Sequence, residues 1–184
     1  VAPCPTYFID KELLDLCPSL KIIATPSTGS NHIDVSYLQE KDIKLYTLRE
    51  SDIVNQIYAS SEFTFNLLVS TIRKTPYAFQ AVLQGNWREA EFHFRGRELN
   101  GLVLGIIGFG RIGSNLARYS LAFGMKVVAF DPYVKISNPD IEQFRDLHEM
   151  LPEADVIAVC LHLNSQTYKM INDDLFNNMK KGVY

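Results

Sequence analysis

The sequence predicts an α/β protein built around a doubly wound parallel sheet, and three observations predict it. Short apolar runs typical of buried strands alternate with helical patterns along most of the chain. A glycine-rich segment at residues 108–113 directly follows one of these runs and opens a helix. An acidic residue, Asp131, ends the next apolar run, 131 − 113 = 18 residues after the last glycine of that segment. Together these features are typical of a βαβ unit.

The composition limits the possible partners. The chain has 184 residues, a formal net charge of −3 and 21% charged side chains. This balance gives no electrostatic reason to expect nucleic acid or an anionic membrane as a partner. No apolar run approaches the roughly 18 residues needed to span a bilayer, and no secretory signal is visible at the N-terminus.

Cysteine and histidine residues lack the spacing of a metal site. The three cysteines, Cys4, Cys17 and Cys160, are scattered, and so are the four histidines. We therefore expect free thiols, no bound metal and a cytoplasmic location. The chain starts without Met, and residues 180–184 have the pattern of a helix end followed by two residues of a strand. We therefore expect a piece of a longer polypeptide.

The first part of the chain, residues 1–54, has a βαβ rhythm. In order, the pattern predicts a helix at residues 10–16, a strand at 20–24, a turn at 25–30, a helix at 34–41 and a strand at 43–47. Such an alternation implies parallel strand pairing.

The middle of the chain is predicted to be helical. Residues 55–72 form a long apolar pattern without Gly or Pro, and a second helix follows Pro76 and runs to Gln84. Residues 85–87 end that helix. Residues 88–100 are polar and are predicted to be an irregular surface connection.

The last part repeats the strand and helix alternation most clearly. Strands are predicted at residues 102–107, 126–130 and 155–160, and helices at 114–123, 140–151 and 172–180. Asn172 is the expected N-cap of the last helix.

Each glycine of the segment 108–113 has a physical reason to be one. Gly108 permits the tight strand-to-helix turn, Gly110 lacks the Cβ that would collide with a pyrophosphate, and Gly113 lets the helix pack close to the strand. Backbone N–H groups at the helix start meet the phosphates, and Arg111 adds a charge-assisted contact. These features predict a Rossmann dinucleotide site. The alternative is an ordinary turn followed by a surface acid.

The position of Asp131 predicts which dinucleotide binds. Its offset is near the typical value of about 20 residues. The carboxylate can accept hydrogen bonds from both hydroxyls of the adenosine ribose, and its charge would repel a 2′-phosphate. We therefore expect NAD rather than NADP.

The whole pattern resembles the D-isomer-specific 2-hydroxyacid dehydrogenases, the group that includes phosphoglycerate dehydrogenase. The resemblance covers nearly the whole chain and rests on five segments in this order: residues 27–34, 59–63, 85–87, 104–113 and 155–163. It implies a two-domain enzyme with its active site in the cleft between the domains. Residues 1–54 would be part of a flavodoxin-like substrate domain, and residues 55–184 a Rossmann NAD domain that is incomplete at its C-terminal end.

The resemblance implies two sets of contacts. A loop presents backbone groups to the substrate carboxylate and, through Thr28, to the nicotinamide end of the cofactor; it consists of Ser27, Thr28, Gly29 and Ser30. The cofactor residues come from three further segments: Gly108, Phe109, Gly110, Arg111, Ile112 and Gly113; Asp131, Pro132 and Tyr133; and Cys160, Leu161 and His162. On the residues alone, the loop at 27–30 is explained equally well as an ordinary strand-to-helix turn.

No catalytic residue is predicted within the chain. The family reaction uses an arginine that holds the substrate carboxylate, a histidine that exchanges the hydroxyl proton and an acid that supports the histidine, and the resemblance puts all three beyond Tyr184. His162 invites a general-base role, but it matches a stretch that lies along the cofactor. Glu62 is interpreted as structural. We therefore expect these 184 residues by themselves not to turn over substrate.

Residues 55–90 resemble the arm through which family members form two-fold dimers. An exposed apolar set would fit such an interface: Phe63, Phe65, Leu67, Phe79 and Trp87. Packing of these side chains in the protein's own core is the alternative. The resemblance favours a homodimer.

The expected activity is reversible hydride transfer between NAD and a D-2-hydroxy acid or 2-keto acid, with phosphoglycerate as one candidate substrate. An NAD(H)-sensing corepressor of the same fold is the alternative from a different class, because fold alone does not fix function. A remoter alternative is another Rossmann ligand, FAD or S-adenosylmethionine.

Overall fold

The computed structural model describes residues 7–184, so the predicted free thiol of Cys4 lies outside the described residues. The chain divides into two compact units, Val1–Ile57 and Tyr58–Tyr184. The sequence places this boundary slightly earlier, at residue 54.

Within residues 7–57, the first unit has two short parallel strands and two α-helices. Its elements are α1 (Lys11–Asp15), β1 (Ile22–Ala24), α2 (Val35–Glu40), β2 (Lys44–Tyr46) and two 3-10 helices at Leu48–Glu50 and Asp52–Gln56. β1 and β2 pair in parallel, with Ile23 opposite Leu45. The helices and strands predicted for this part are confirmed in type and order, although each is shorter than predicted.

Two aspartates begin the helices of the first unit. A carboxylate oxygen of Asp10 accepts the N–H of Leu13 at 2.9 Å, and one of Asp34 accepts the N–H of Tyr37 at 3.0 Å. These N-caps pair amides that have no acceptor within the helix. The helices and strands enclose a small apolar core: Ile9, Leu14, Ile23, Ile33, Tyr37, Leu38 and Ile43.

The second unit is built on a four-stranded sheet in which all strands are parallel. Its strands are β3 (Val103–Ile107), β4 (Lys126–Phe130), β5 (Ile141–Phe144) and β6 (Val156–Val159), in the spatial order β5-β4-β3-β6. Its helices are α3 (Ala59–Ile72), α4 (Thr75–Leu83), α5 (Glu91–Phe94), α6 (Arg111–Ala122), α7 (Leu147–Met150) and α8 (Asp173–Asn177). The strand order reverses between β3 and β6, as in a Rossmann half. The predicted fold class is confirmed.

Both faces of this sheet are covered. On β3, Leu104 and Ile106 belong to one core and Ile107 to the other, because successive strand residues point to opposite faces. The first core joins β3 and β4 to α3 and α6, and the second joins them to α7 and α8. A strand that is buried on both faces is apolar throughout, which explains the unbroken apolar run that predicts β3.

Helix α3 packs against α6 and begins later than predicted. Residues 52–56 form a 3-10 helix instead, whose last turn closes with the N–H of Ile57 donating to the carbonyl of Val54 at 3.2 Å. Phe65, expected to be exposed, is half buried: its ring meets the ring of Phe123 edge-on at 4.9 Å. The other members of the apolar set predicted for the arm are exposed: Phe63, Leu67, Phe79 and Trp87.

The prediction of a single helix at residues 140–151 is wrong. Residues 141–144 are the edge strand β5, paired with β4, and α7 begins only after Asp146, which caps it by accepting the N–H of His148 at 2.8 Å. The apolar side chains recur at every third position, which imitates one face of a helix: Ile141, Phe144, Leu147 and Met150. Pairing with β4, which is a tertiary interaction, makes the segment a strand rather than a helix.

The prediction that residues 88–100 are irregular is wrong in part. A 3-10 helix at Arg88–Ala90 leads into α5, where Arg95 and Glu91 form an ion pair at 2.8 Å. Gly96 then passes the end of α3 so closely that a Cβ would lie 2.4 Å from the carbonyl oxygen of Ile72.

At the amino edge of the sheet, Asp155 links β3 to the segment that follows α8. Its carboxylate accepts the N–H of Val103 at 2.9 Å and the ammonium of Lys180 at 3.1 Å. Burial alone would raise the pKa of Asp155, but these two interactions and the charge of Arg97 outweigh it, so the pKa lies below its ordinary value of 3.8.

The last helix is capped as predicted. Asn172 Oδ1 accepts the N–H of Leu175 at 3.1 Å, although the helix ends at Asn177 rather than at Lys180. Beyond it, the N–H of Tyr184 donates to the carbonyl of Asp155 at 3.1 Å, in the manner of a strand beside β6.

Within residues 7–184, no helix combines the length and apolar character needed to cross a membrane. The same residues hold no group of three or more histidine, cysteine or acidic side chains arranged to bind a metal ion.

Replacing Asp155 with Asn should lower the free energy of unfolding by about 1–3 kcal/mol at pH 7, because Lys180 and the N–H of Val103 lose a charged acceptor. Since the pKa of the folded state is lowered, the contribution of the carboxylate is present above pH 3.8 and is lost as the pH falls through the lowered value. Urea unfolding at pH 7 and pH 3 measures this, and the difference between variant and parent should shrink at pH 3. Asp140→Asn, at an exposed position, is the control. An equal difference at both pH values would contradict the assignment.

Candidate functional site

The predicted cofactor residues of the second unit gather at the carboxyl edge of the sheet. Residues 108–113 follow β3, residues 131–133 follow β4 and residues 160–162 follow β6. Because the strands are parallel, their carboxyl ends meet at this edge. β3 and β6 are the neighbours between which the strand order reverses, and open α/β sheets bind ligands in the crevice at such a point.

The turn after β3 is held between the neighbouring strands. The N–H of Gly108 donates to the carbonyl of Phe130 at 2.8 Å, and the N–H of Cys160 donates to the carbonyl of Ile107 at 2.8 Å. Gly108 has φ +93°, and a Cβ there would lie 2.8 Å from the carbonyl oxygen of Cys160. Only glycine combines this backbone conformation with this close approach.

Helix α6 begins directly against this turn. A Cβ on Gly113 would lie 2.2 Å from the carbonyl oxygen of Gly108 and 3.1 Å from Ile106 Cγ2. The helical ladder opens with the N–H of Ser114 donating to the carbonyl of Gly110 at 2.9 Å. The amides of residues 111–113 therefore precede the ladder, at the positive end of the helix dipole.

Gly110 has no packing reason to be glycine. It is exposed, its φ is an ordinary −81°, and a Cβ there would meet no atom within 4 Å. No side chain caps α6 at this position. Open space and backbone donors thus coincide at the start of α6, and this arrangement fits the diphosphate of a dinucleotide.

The carboxylate of Asp131 is held in place by backbone donors. Oδ2 accepts the N–H of Phe109 at 2.8 Å, and Oδ1 accepts those of Tyr133 at 2.8 Å and Val134 at 3.1 Å. A carboxylate has about four acceptor positions. Oδ1 already accepts two donors and Oδ2 accepts one, so one acceptor position remains on Oδ2. A second additional donor would have to compete with the N–H of Val134 for Oδ1.

Gln143 on β5 supports the loop that follows Asp131. Its Nε2 donates to the carbonyl of Val134 at 2.7 Å and to that of Asp131 at 3.2 Å, and its Oε1 accepts the N–H of Ile136 at 2.9 Å. The sequence pattern does not indicate this residue, because the pattern predicts a helix for the segment.

The segment after β6 begins with an apolar wall. Cys160 is half buried, and burial raises the pKa of its thiol to about 11, so that the thiol is neutral at pH 7. Leu161 packs against the second core of the sheet. His162 is exposed, and its carbonyl accepts the hydroxyl of Thr167 at 2.5 Å.

A side-chain contact joins the loops after β4 and β6. The hydroxyl of Tyr133 donates to Oε1 of Gln166 at 3.0 Å. Pro132 and Tyr133 are both exposed beside it. The sequence offered no signal for Gln166, because nothing local marks a contact across 33 residues.

In the first unit, the loop at residues 27–30 follows β1. All four residues are half buried, and the carbonyl of Ser27 accepts the N–H of Leu48 at 3.1 Å. The amides of residues 28–30 have no acceptor within residues 7–184. Successive unpaired amides in a half-buried loop suit an anion such as a carboxylate.

The chain matches one protein family over both of its units. Residues 65–184 match the family description "D-isomer specific 2-hydroxyacid dehydrogenase, NAD binding domain", and residues 5–51 match the catalytic domain of the same family. The two matches cover most of the chain.

Relatives of this family are similar along nearly the whole chain. A glyoxylate reductase of Thermofilum pendens is 31% identical over 182 residues, 96% of this chain and 52% of that protein. A hydroxypyruvate reductase of Thermotoga maritima is 32% identical, over 95% of this chain and 55% of that protein. The crystal structure of a D-lactate dehydrogenase from Aquifex aeolicus, complexed with NAD and lactic acid, superposes with a TM-score of 0.79 at 35% identity, over 96% of this chain and 52% of that one.

The chain thus spans about half the length of the curated relatives it matches. The chain belongs to the D-isomer specific 2-hydroxyacid dehydrogenases, and its residues 65–184 belong to the NAD binding domain of that family.

Proposed function

We propose that the protein is an NAD-dependent oxidoreductase that transfers a hydride reversibly between NAD and a D-2-hydroxy acid or 2-keto acid. One observation carries this proposal. Around the glycine-rich turn that follows β3, the structure brings together the amides at the start of α6, the open space beside Gly110 and the carboxylate of Asp131. The bound nicotinamide supplies the redox chemistry, and the residues of this chain bind and orient it.

The pyrophosphate would lie against residues 108–113. The amides of residues 111–113 would donate to the phosphate oxygens, and the helix dipole favours the negative charge. The guanidinium of Arg111 would add a charge-assisted hydrogen bond. Phe109 and Ile112 would border the phosphates on either side of Gly110.

Asp131 would hold the adenosine ribose. The remaining acceptor position on Oδ2 suits one ribose hydroxyl, and a second hydroxyl would share Oδ1 with the backbone donors. The negative charge disfavours a 2′-phosphate, so we infer a preference for NAD over NADP. Residues 132–133 would border the adenosine, and residues 160–162 would run along the cofactor beside β6.

The loop at residues 27–30 would hold the substrate carboxylate through its unpaired amides, with Thr28 also near the nicotinamide. Glyoxylate and hydroxypyruvate are the first substrates to test, because similar proteins carry the names of reductases of these acids. Phosphoglycerate stays a further candidate.

No residue of the chain is assigned a catalytic role. By the resemblance, the arginine, the histidine and its acid partner would lie beyond Tyr184. We infer that these 184 residues by themselves do not turn over substrate. A cytoplasmic location is supported by the free thiols of Cys17 and Cys160.

We also infer a homodimer formed through α3 and α4. These helices and the segment after them expose large apolar side chains: Phe63, Leu67, Tyr77, Phe79, Leu83 and Trp87. An exposed apolar surface of this kind is typical of an interface. An open groove of about 250 Å³ lies beside it, bordered by Val82, Trp87 and Phe94.

In the full-length protein, NADH should be consumed when a suitable acid from a panel of 2-keto acids is added, and Gly110→Val should abolish both NADH binding and consumption. The valine would fill the space assigned to the pyrophosphate. The variant should unfold at the parent's temperature, because a Cβ at this position meets nothing within 4 Å. Gly113→Ala is the contrasting variant, since its Cβ would lie 2.2 Å from the carbonyl oxygen of Gly108 and should lower the unfolding temperature.

Titration calorimetry with NADH and scanning calorimetry distinguish these outcomes. Unchanged NADH affinity in Gly110→Val would contradict the phosphate assignment. NADH binding by the parent without consumption of any acid would instead favour an NAD(H)-sensing protein of the same fold.

Asp131→Ala should weaken NADH binding by about 10- to 100-fold, the loss expected for a hydrogen bond to a charged group. The variant should also narrow the preference for NADH over NADPH. Because the carboxylate also holds the amides of Phe109 and Tyr133, Asp131→Asn serves as the partner variant that removes the charge and keeps one acceptor oxygen. Calorimetric dissociation constants for both dinucleotides are the measurement, with Glu142→Gln on the exposed edge strand as the control. An unaltered ratio of the two constants would refute the ribose assignment.

A double substitution, Phe79→Glu with Leu83→Glu, should convert the dimer to a monomer, because two charges one helical turn apart on α4 cannot be buried in an apolar interface. Sedimentation velocity measures the mass. Leu16→Glu, at an exposed apolar position of the first unit, should leave the dimer intact. A parent protein that sediments as a monomer would sink the inference.

A further inference from the structure

A buried histidine lies beside the proposed substrate loop, and the proposed function does not use it. His32 is 6% exposed, and Thr25, which directly follows β1, is 5% exposed. These two residues flank the loop at residues 27–30 on either side. Buried polar side chains are stable only when their donors and acceptors are paired. The partners of His32 therefore indicate its role.

Three contacts connect the ring to the loop backbone. Nε2 of His32 lies 3.5 Å from Oγ1 of Thr25, and that hydroxyl lies 3.1 Å from Oγ of Ser27. Oγ of Ser27 donates to the carbonyl oxygen of Gly29 at 2.5 Å. The contact of the ring is the longest and weakest of the three. We call this series of contacts the His32 chain.

The direction of the His32 chain follows from counting protons. A carbonyl oxygen only accepts, so the single proton of the Ser27 hydroxyl is used on Gly29. The oxygen of Ser27 must then accept the proton of Thr25. The oxygen of Thr25 must in turn accept from His32, which assigns a proton to Nε2 of the ring. Each group therefore donates toward the loop.

We propose that His32 is a positioning residue: through Thr25 and Ser27 it fixes the peptide between Gly29 and Ser30, whose N–H is directed at the substrate carboxylate. The inference rests on the proposed role of residues 27–30 in substrate binding. In this proposal the buried side chain of His32 controls the amide of Ser30 without touching it.

Two physical effects support this role. Successive hydrogen bonds polarise one another, by about 10–30% per bond, so donation to the carbonyl of Gly29 makes the N–H of Ser30 a stronger donor. Two other loop carbonyls are also anchored: that of Ser27 accepts from Leu48 at 3.1 Å, and that of Ser30 accepts from Ile33 at 3.0 Å. The carbonyls of Ser27, Gly29 and Ser30 are thus paired, while the amides of residues 28–30 stay available.

The test compares variants that break the His32 chain with variants that keep its donors. Thr25→Val and His32→Leu preserve the buried volume and remove a link, whereas Thr25→Ser and His32→Gln retain a donor. In the full-length protein, the two breaking variants should raise the KM for the 2-keto acid about 2- to 10-fold, the effect of one hydrogen bond. The kcat and the KM for NADH should stay near the parent values, because the loop binds ground state and transition state alike.

A second measurement does not depend on turnover. The amides of Ile33 and Leu48 donate to loop carbonyls, so their hydrogen exchange reports the order of the loop. Exchange at both should quicken in the breaking variants and match the parent in the donor-keeping variants. Ser27→Ala breaks the same chain at a half-buried position and supplies the result should a core variant not fold.

Two outcomes overturn the proposal. One is unchanged KM and exchange in Thr25→Val and His32→Leu. The other is a joint loss of kcat, both KM values and thermal stability that Thr25→Ser and His32→Gln do not rescue, which would assign the ring to packing alone. If the parent reduces no 2-keto acid, the proposed function fails, and the exchange measurement still decides whether the His32 chain orders the loop.

Discussion

The contact between the first turn of α6 and the end of β3 is the constraint on which the carboxyl edge depends. Gly113 meets the carbonyl of Gly108 where any Cβ would collide, so the helix and strand touch backbone to backbone. Such a contact cannot relax by rotating a side chain. It sets where the helix amides emerge, and it brings the amide of Phe109 within reach of Asp131. The proposed diphosphate site and the proposed ribose acceptor are thus positioned together.

Features with a local cause could be predicted from the sequence. The strand, turn and helix around residues 102–123, the acid at Asp131 and the cap at Asn172 all depend on neighbours along the chain. The edge strand β5 could not be predicted in this way, because its apolar residues repeat at every third position, as in a helix. Only pairing with β4 makes the segment extended. The start of α3 was missed for a related reason, since a 3-10 turn keeps the apolar spacing of a helix.

The side chains that support the candidate site are less predictable from the sequence than those that line it. Gln143 secures the loop after β4 across a strand pairing that the sequence did not indicate. The ring of His32 reaches the loop through two hydroxyl groups. Ordinary polar residues of this kind carry no pattern, and their roles depend on contacts that exist only after folding. For Asp131, the sequence indicated an acceptor but not that three amides already hold it.

The half-buried thiol of Cys160 has a consequence for oxidation at the carboxyl edge of the sheet. Peroxides attack the thiolate form, and burial keeps the pKa of this thiol at about 11, so almost none of it is ionised in a neutral cell. A cysteine beside the glycine-rich turn therefore packs as a small apolar side chain. At this position of the proposed cofactor site, oxidation by peroxide should therefore be slower than at an exposed, acidic thiol.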